Sequence, residues 1–507
     1  MEIKASSSRG HLEVPFMVTV RGKLKLGSST SRPISGAQTL SHKEKEHQTI
    51  VCFLLSEFIP FMSTPSGQTT EMLLLPVEQQ DIQKERYSNG ANPQPLVSHP
   101  DVMSVPDGGI KAWTTIAGAW FVLFGTFGYL YSFGVYEDFY ALEYLSNHTP
   151  SSIAWIGSFQ LMMPFALGVI SGKLFDLGHF HAVEAFGAVV FAFSVFMLSL
   201  AKPLQYYQIF LSQGVGMGIG LGFTFVPTVS ITVHHFAKRR GLASGVALSG
   251  ASIGATIFPI MLNHLIPKIG FSSAVRATGY IVLGCLIIGN ALMRTRLPPR
   301  SKRPNAVSPD IKSFFTDAAY MWAVLGALLS SVGFYFPLIY IQLYAVQHSV
   351  GNNLAFYSIA ILNGCSALGR VVGNHLADVL GPFNMLVSCT LITGGTIWAV
   401  LGVHDSATLV VVSILYGFFS GAWLALAFAC LASLARTPDE VGARTGLALA
   451  LSSVGSLSSA PIQGALLTSE FIWIRPIAFS ASLMFSGAAC FAVTRVLQSR
   501  RLLSQTV

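Results

Sequence analysis

The sequence predicts an all-α membrane protein with twelve transmembrane helices arranged in two pseudo-symmetric six-helix bundles. Of its 507 residues, 52% are hydrophobic and only 11% are charged, whereas soluble proteins carry about a quarter charged residues. Apolar runs of roughly twenty residues, long enough to cross a bilayer, recur from Ala112 onward. One helical pattern also occurs twice, from Gly241 to Pro259 and again from Gly442 to Pro461.

The composition also excludes several classes of protein. The apolar runs do not alternate polar and apolar residues, so they indicate helices rather than barrel strands. The net charge of +8 does not indicate nucleic acid, because the basic residues lie in alternate loops between the runs. None of the six cysteines forms a CxxC pair, so we expect structural thiols and no metal site.

Twelve apolar runs and one proline-rich linker divide the chain. The predicted spans cover residues 112–135, 153–172, 182–201, 207–233, 242–264, 275–293, 318–346, 355–376, 383–403, 409–434, 443–468 and 474–495. The predicted organisation is a disordered cytoplasmic tail at 1–106, an N-terminal bundle at 107–293, a cytoplasmic linker at 294–317, a C-terminal bundle at 318–495 and a cytoplasmic tail at 496–507.

The first 106 residues are rich in Ser, Pro, Gln and charge, which is typical of a disordered segment. Their apolar stretch Ile50–Met62 is interrupted by Glu57 and Pro60 and is too short to span a bilayer. The segment Ser63–Pro106 alone resembles an ordinary transporter tail, which motivates the hypothesis that the natural chain starts at Met62.

Loop charges predict the orientation. With both termini in the cytoplasm, twelve Lys and Arg residues lie in inner loops and four in outer loops, as the positive-inside rule requires. The only N-x-[ST] sequence begins at Asn147 in the first outer loop, so we expect this asparagine to be the glycosylation site. The expected location is the plasma membrane, with the vacuole or another internal membrane as the alternative.

Two Leu-x-Asp sequences end corresponding runs, at Asp176 and Asp378. A carboxylate in this position can accept hydrogen bonds from the amides at the start of a neighbouring helix. Nearby cations, Lys173 and Arg240, can strengthen the lock. We therefore predict a gate that holds one face shut in one state and releases it in the other. The alternative is a pair of solvated turns.

Arg370 is the most informative charge within the predicted spans. Arginine inside a membrane is costly and usually faces a cavity or a partner, where it can bind a carboxylate through two hydrogen bonds. The alternatives are extension to the cytoplasmic interface or pairing with Asp378. Other polar side chains either line a path with it or bond helix to helix, among them Asn363, Tyr335, Gln160 and Thr224.

The sequence contains no arrangement typical of catalysis or of a cofactor site. It has no Ser-His-Asp set, paired carboxylates or GxxxxGK[ST] sequence. The glycine-rich run Gly214–Gly222 follows no predicted strand, which a dinucleotide fold needs, and its spacing instead suits close helix packing. We expect neither an enzyme nor a cofactor.

Several motifs resemble the major facilitator superfamily, and within it the fungal monocarboxylate porter-like branch. The resemblance covers residues 106–495 and rests on Pro106–Trp113, Phe133–Tyr136, Lys238–Gly241, Gly369–Arg370, Leu376–Asn384 and Tyr416–Gly421. It implies two six-helix bundles, a central cavity and alternating access.

The resemblance also carries over some site residues. Well-known animal members use a lysine in the first span, and an aspartate one turn before the arginine of the eighth, to bind a proton and a carboxylate. Here Tyr131 stands at the lysine position and Ser366 at the aspartate position, and only Arg370 is kept. The resemblance therefore implies an anion site at Arg370 beside Tyr131, but not proton–lactate symport.

By this resemblance, we expect a secondary transporter of an organic acid or mid-sized metabolite. Fungal members include carriers of riboflavin, and many resemble exporters encoded beside natural-product pathways, so export of a secondary metabolite is the leading expectation. The alternatives are uptake of a monocarboxylate or riboflavin and, from another class, a membrane sensor that does not transport. The expected partners are a small-molecule substrate and the bilayer, not nucleic acid. Proton coupling stays open.

Overall fold

The computed structural model describes residues 107–296, 311–348, 350–436, 440–468 and 471–502. The expectations for residues 1–106, for most of the linker and for the last five residues lie outside this part of the chain. Twelve described helices are long and apolar enough to cross a membrane. They are α1 Ile110–Tyr144, α2 Ser151–Asp176, α3 Phe180–Leu198, α4 Tyr206–His234, α5 Arg240–Ile269, α6 Phe271–Leu292, α7 Ala318–Gln347, α8 Asn353–Leu380, α9 Pro382–Gly402, α10 Ser406–Ser433, α11 Val441–Leu467 and α12 Ile474–Leu502.

The predicted fold class is confirmed, since the regular elements of these described residues are all helical. Many span ends differ from the predicted ones by a few residues, and three features differ more clearly. The first span runs on to Tyr144, the last continues past residue 495 to Leu502, and a short helix, Ile311–Thr316, precedes α7 within the predicted linker. The fully buried side chain of Phe314 anchors this short helix to the rest of the protein.

The sequence repeat is visible in the packing of the two halves. In the first bundle α1 packs on α5 and α6, and in the second α7 packs on the corresponding helices α11 and α12. The bundles meet along two crossings, α5 with α8 and α2 with α11. The repeated glycines lie at these crossings: a Cβ at Gly245 would overlap the backbone oxygen of Arg370, and one at Gly446 would overlap that of Gly168.

α1 and α7 are interrupted at corresponding positions, and further interruptions lie at Thr126 in α1 and at Leu167 in α2. Regular α geometry in α1 stops at Tyr131 and resumes at Phe133, and in α7 it stops at Tyr335 and resumes at Phe336. Pro337 explains the second interruption, because proline has no N–H with which to continue the ladder. In transporters, interrupted helices are typical of the substrate site.

The two ends of the bundles carry different groups. We call the end that carries Asp107, Asp176, Asp317 and Asp378 the latch face. The opposite face carries the exposed Asn147, in the loop between α1 and α2.

Candidate functional site

A buried arginine lies between the interrupted helices α1 and α7. Arg370 on α8 is 4% exposed, and its Nη1 donates to the backbone oxygen of Leu248 on α5, 2.8 Å away. The Tyr131 hydroxyl lies within hydrogen-bonding range of the guanidinium, and Tyr335 lies within electrostatic range. The structure therefore brings together three of the predicted site residues, Arg370, Tyr131 and Tyr335.

The charge of Arg370 has no counter-ion among the residues that the structure describes. None of the described carboxylates pairs with it, and its buried Nε has no hydrogen-bond partner. A buried charge without a counter-ion is costly, so such groups commonly mark the path of a charged ligand. Both alternative interpretations fail here, because the side chain neither reaches an interface nor pairs with Asp378.

Tyr416 on α10 completes the group around Arg370, and sequence reasoning did not select it. Its hydroxyl donates to the backbone oxygen of Phe334, at the interruption of α7, and its ring lies within electrostatic range of Tyr131 and Tyr335. The Tyr335 hydroxyl in turn hydrogen-bonds to Ser456 on α11. We call Tyr131, Tyr335, Tyr416 and Arg370 the tyrosine–arginine cluster. In the sequence, Tyr416 stood out only as the first residue of the motif Tyr416–Gly421.

The remaining candidate residues lie at different distances from this cluster. Asn363 is buried on α8 two turns from Arg370 and therefore on nearly the same side of that helix. Gln160 and Thr224 lie inside the first bundle instead. Gln160 donates to the sulfur of Met217, and Thr224 donates to the backbone of its own helix and packs toward α3. The structure does not bring these two residues to Arg370.

Two serines form a contact between the bundles one turn from Arg370. Ser366, which stands at the aspartate position of the animal members, accepts a hydrogen bond from Ser252 on α5 at 3.1 Å. This bond crosses between the bundles in the same region as the bond from Arg370 to Leu248. Neutral hydroxyls therefore link the two bundles one turn from the arginine.

An aromatic cluster lies between the tyrosine–arginine cluster and the latch face. The ring of Phe428 on α10 is 4.9 Å from that of Phe225 on α4 and 6.3 Å from that of Phe165 on α2. Phe127 on α1 is 4.5 Å from Phe225. Because Phe428 belongs to the second bundle and the other three to the first, the cluster closes the path between the bundles on this side.

Each predicted gating aspartate contacts the first turn of a helix in the other bundle. Asp378 accepts hydrogen bonds from the backbone N–H groups of Gly241 at 2.8 Å and Leu242 at 2.9 Å, on α5. Asp176 accepts from Ala443 on α11 at 3.1 Å. These amides have no partner within their own helix, and the positive end of the helix dipole attracts the carboxylate.

The repeated motif begins with glycine because the carboxylate sits directly against the helix. A Cβ at Gly241 would stand 2.6 Å from Asp378 Oδ1, and one at Gly442 would stand 2.5 Å from Asp176 Oδ1. The predicted cations are placed less directly. Lys173 is exposed, and Arg240 donates from Nε to the backbone oxygen of Phe236, in its own segment.

Two further aspartates brace the segments that precede these helix starts, and sequence reasoning missed both. Asp107 accepts from the backbone N–H groups of Ala237 at 2.6 Å and Lys238 at 2.5 Å, just before α5. In the second bundle Asp317 binds Arg444, on the first turn of α11, at 3.1 Å. The two bundles therefore share a pattern in which the acid before the first helix fixes the start of the fifth.

Asp317 is the centre of an ion cluster at the latch face. Besides Arg444 it binds Arg436 at 3.2 Å and Arg501 at 2.7 Å, and Arg444 also binds Glu440 at 2.9 Å. Burial alone would raise the pKa of Asp317. Hydrogen bonds from Arg501 and Arg444 and the charges of Arg501 and Arg436 outweigh burial and hold this pKa well below its usual range.

One carboxyl group inside the first bundle also escaped the sequence reasoning, which treated the spans as nearly uncharged. Glu184 on α3 is fully buried, and its Oε1 accepts a hydrogen bond from Thr228 on α4 at 3.1 Å. Its Oε2 has no hydrogen-bond partner. Glu184 was visible in the sequence as the single acid in the third apolar run.

Comparison with known proteins decides the family. The model of the Major Facilitator Superfamily matches residues 115–389, more than half of the chain. The chain belongs to the major facilitator superfamily. It is 38% identical over 399 residues to the aspyridones efflux protein apdF of Emericella nidulans, covering 78% of this chain and 80% of that protein. It is 33% identical to the fujikurins efflux protein of Gibberella fujikuroi, covering 78% and 85%.

A solved structure supports the same fold. The human organic anion transporter MFSD10 (TETRAN) matches with a TM-score of 0.56 at 12% identity, covering 76% of this chain and 99% of that one. The predictions of a membrane transporter and of a protein that is not an enzyme are confirmed, because the family and the relatives are transporters. The narrower monocarboxylate porter-like branch stays a prediction.

Proposed function

We propose that this chain exports a mid-sized, partly aromatic organic anion by alternating access and binds its acidic group at Arg370. The observation that carries the proposal is a buried guanidinium between the bundles that no described carboxylate neutralises. A carboxylate or enolate of the cargo would supply the missing charge through two parallel hydrogen bonds. Tyr131 and Tyr335 offer aromatic rings and hydroxyls beside it, and Tyr416 packs near both tyrosines.

The names of the relatives support outward transport of a secondary metabolite. Two of them, at 38% and 33% identity, are named as efflux proteins for aspyridones and for fujikurins. An inside-negative membrane potential also favours the exit of an anion, by about 2.3 kcal/mol per charge for every 100 mV. We extend this role to the present chain and place it in the plasma membrane.

We further propose that the latch face is cytoplasmic, with both chain termini on that side. The excess of Lys and Arg in the loops at this face supports the orientation. Asn147 then lies outside the cell, where a glycan can be attached. Since both latch bonds are formed, we infer that the described conformation is the one closed toward the cytoplasm.

In this scheme one interface links cargo binding to gating. Along the α5–α8 crossing, Asp378 binds the first turn of α5, and Arg370 binds Leu248 two turns further in. Opening toward the cytoplasm separates α5 from α8 and breaks both contacts at once. Arg370 is then released to bind an anion that arrives from the cytoplasm. When the latch face closes again, the bound anion is enclosed between the bundles.

Transport by the purified chain in proteoliposomes tests the proposal. In proteoliposomes whose latch face points outward, Arg370→Ala should abolish uptake of an acidic metabolite. Arg370→Lys should keep only part of the uptake, because lysine cannot bind a carboxylate bidentately. Arg475→Ala removes an exposed arginine at the opposite face and is the matched control. Uptake measured under an imposed pH gradient at a clamped membrane potential tests whether transport is coupled to protons. Full transport by Arg370→Ala would contradict the proposed site.

A further inference from the structure

An apolar groove runs along the outside of the first bundle near the latch face. Its volume is about 230 Å³, and its lining residues are Trp113, Ile116, Ala117, Trp120 and Phe121 of α1 and Val246 of α5. At its end toward the latch face, Ile110 is 85% exposed and Trp113 is 40% exposed. Because exposed apolar side chains on a membrane helix suit contact with lipid, we infer that the groove opens into the bilayer.

A cationic rim borders the same end of the groove. Lys111 lies on the first turn of α1 and is exposed, as are Lys238 and Arg239 in the segment before α5. Asp107 holds this segment against the start of α1 by accepting its backbone N–H groups, and the rings of Trp113 and Phe236 pack 5.2 Å apart. The single Asp107 carboxylate offsets the three rim cations only in part.

We propose that this groove is a binding site for an anionic glycerophospholipid, with one acyl chain in the groove and the phosphate and acidic headgroup on Lys111, Lys238 and Arg239. Charge complementarity selects this occupant. The groove is apolar while its rim is positive, and an anionic lipid, which is abundant in the cytoplasmic leaflet, matches both halves. Tryptophans at the level of the headgroups are typical of membrane interfaces, and each Lys or Arg near an anionic surface adds to the attraction.

Such a lipid would act on the gate, which goes beyond the proposed transport function. The rim segment continues directly into Gly241 and Leu242, whose N–H groups bind Asp378. A lipid that holds Lys238 and Arg239 against α1 therefore stabilises the start of α5 in the position that the latch requires. We expect anionic lipid to raise the thermal stability of the protein and to favour the conformation closed at the latch face.

Quenching of tryptophan fluorescence by brominated lipid tests the site in the full chain. The protein is placed in phosphatidylcholine nanodiscs that contain a small fraction of either brominated phosphatidylserine or brominated phosphatidylcholine. Brominated phosphatidylserine should quench more strongly at equal fraction, and Trp113→Phe with Trp120→Phe should remove the difference. In Lys238→Gln with Arg239→Gln, the apparent affinity for phosphatidylserine should fall by about fivefold for each charge lost.

The control pair Lys312→Gln with Arg500→Gln removes two exposed cations at the same face of the second bundle and should keep the wild-type affinity. Equal quenching by the two brominated lipids in the wild type would mean ordinary annular lipid and would overturn the proposal. An equal loss of affinity for phosphatidylserine in the control pair would mean that the lipid responds to general positive charge at the surface. That outcome would also overturn the proposal. If each disc held two chains and neither brominated lipid quenched the groove tryptophans, the groove would be an interface with a second copy. That outcome would also overturn the lipid site. The wild-type comparison needs no variant, so it decides even if a variant does not fold.

Discussion

At the scale of single residues, two buried charges near the α5–α8 and α2–α11 crossings behave in opposite ways. Asp317 is surrounded by Arg436, Arg444 and Arg501, and its charge is satisfied by the protein. Arg370 has a backbone oxygen and tyrosines around it but none of the described carboxylates. The first is therefore a structural charge, and the second is available to a ligand.

Replacing Asp317 by Asn should lower the free energy of unfolding by about 3 kcal/mol, because it removes one of the two carboxylates that pair with the fully buried Arg444. Denaturant or thermal unfolding of the purified protein in detergent measures the change. Asp405→Asn, which removes an exposed acid that caps α10, is the control and should change stability little. An unchanged midpoint for Asp317→Asn would contradict the assignment of a structural charge.

The same carboxylate predicts a pH dependence. Its pKa is depressed in the folded protein, so the stability it provides is complete above the unfolded pKa of about 4. That stability is lost as the pH falls through the folded pKa. The wild type should therefore lose stability below pH about 4, and Asp317→Asn should show a shallower loss there. Unfolding midpoints measured from pH 7 downward compare the two, and identical acid profiles would be inconsistent with this assignment.

At the scale of helices, the two latches are equivalent contacts between a carboxylate and the start of a helix in the other bundle. Breaking one should shift the protein toward the conformation open at the latch face. A carboxylate at a helix start contributes about 1 kcal/mol, and up to about 2 when partly buried. The shift for a single latch is therefore about fivefold to thirtyfold in the equilibrium.

Asp378→Asn tests the latch while keeping the size of the side chain. Spin labels on α5 and α8 near the latch face should report a larger fraction of long distances than in the wild type. Asp405→Asn is the matched control, since Asp405 also binds a helix start, through the N–H of Thr408, but within one bundle and at the opposite face. Equal distance distributions in Asp378→Asn and the wild type would show that this contact does not gate.

At the scale of the whole molecule, the sequence predicts what depends on local pattern. Runs of apolar residues give the twelve helices, and the repeated glycines mark the places where helices from different bundles touch, because only glycine permits that approach. The same repeat paired Asp176 with Asp378, but it did not show that each contacts a helix of the other bundle. The partners around Asp317 and the contact of Tyr416 with α7 join residues more than eighty positions apart. Local pattern carries no signal for them.

The candidate site was predictable in part for the same reason. Arg370 was conspicuous because charge is rare in an apolar run. Polarity alone did not distinguish Asn363, which lies near Arg370, from Thr224, which packs toward α3, because the direction of a side chain depends on how the helix is rotated in the bundle. The interruption of α1 at Tyr131 has no proline to announce it.

Metabolite profiling of a deletion strain, which measures the ratio of each acidic metabolite inside and outside the cell, tests export through Arg370. We expect one acidic, aromatic metabolite to accumulate inside the deletion strain. The wild-type gene should restore its release, and an Arg370→Ala gene expressed at the same level in the membrane should not. If no acidic metabolite changes its ratio, or if the Arg370→Ala gene restores release fully, the proposed export of an anion through Arg370 is wrong.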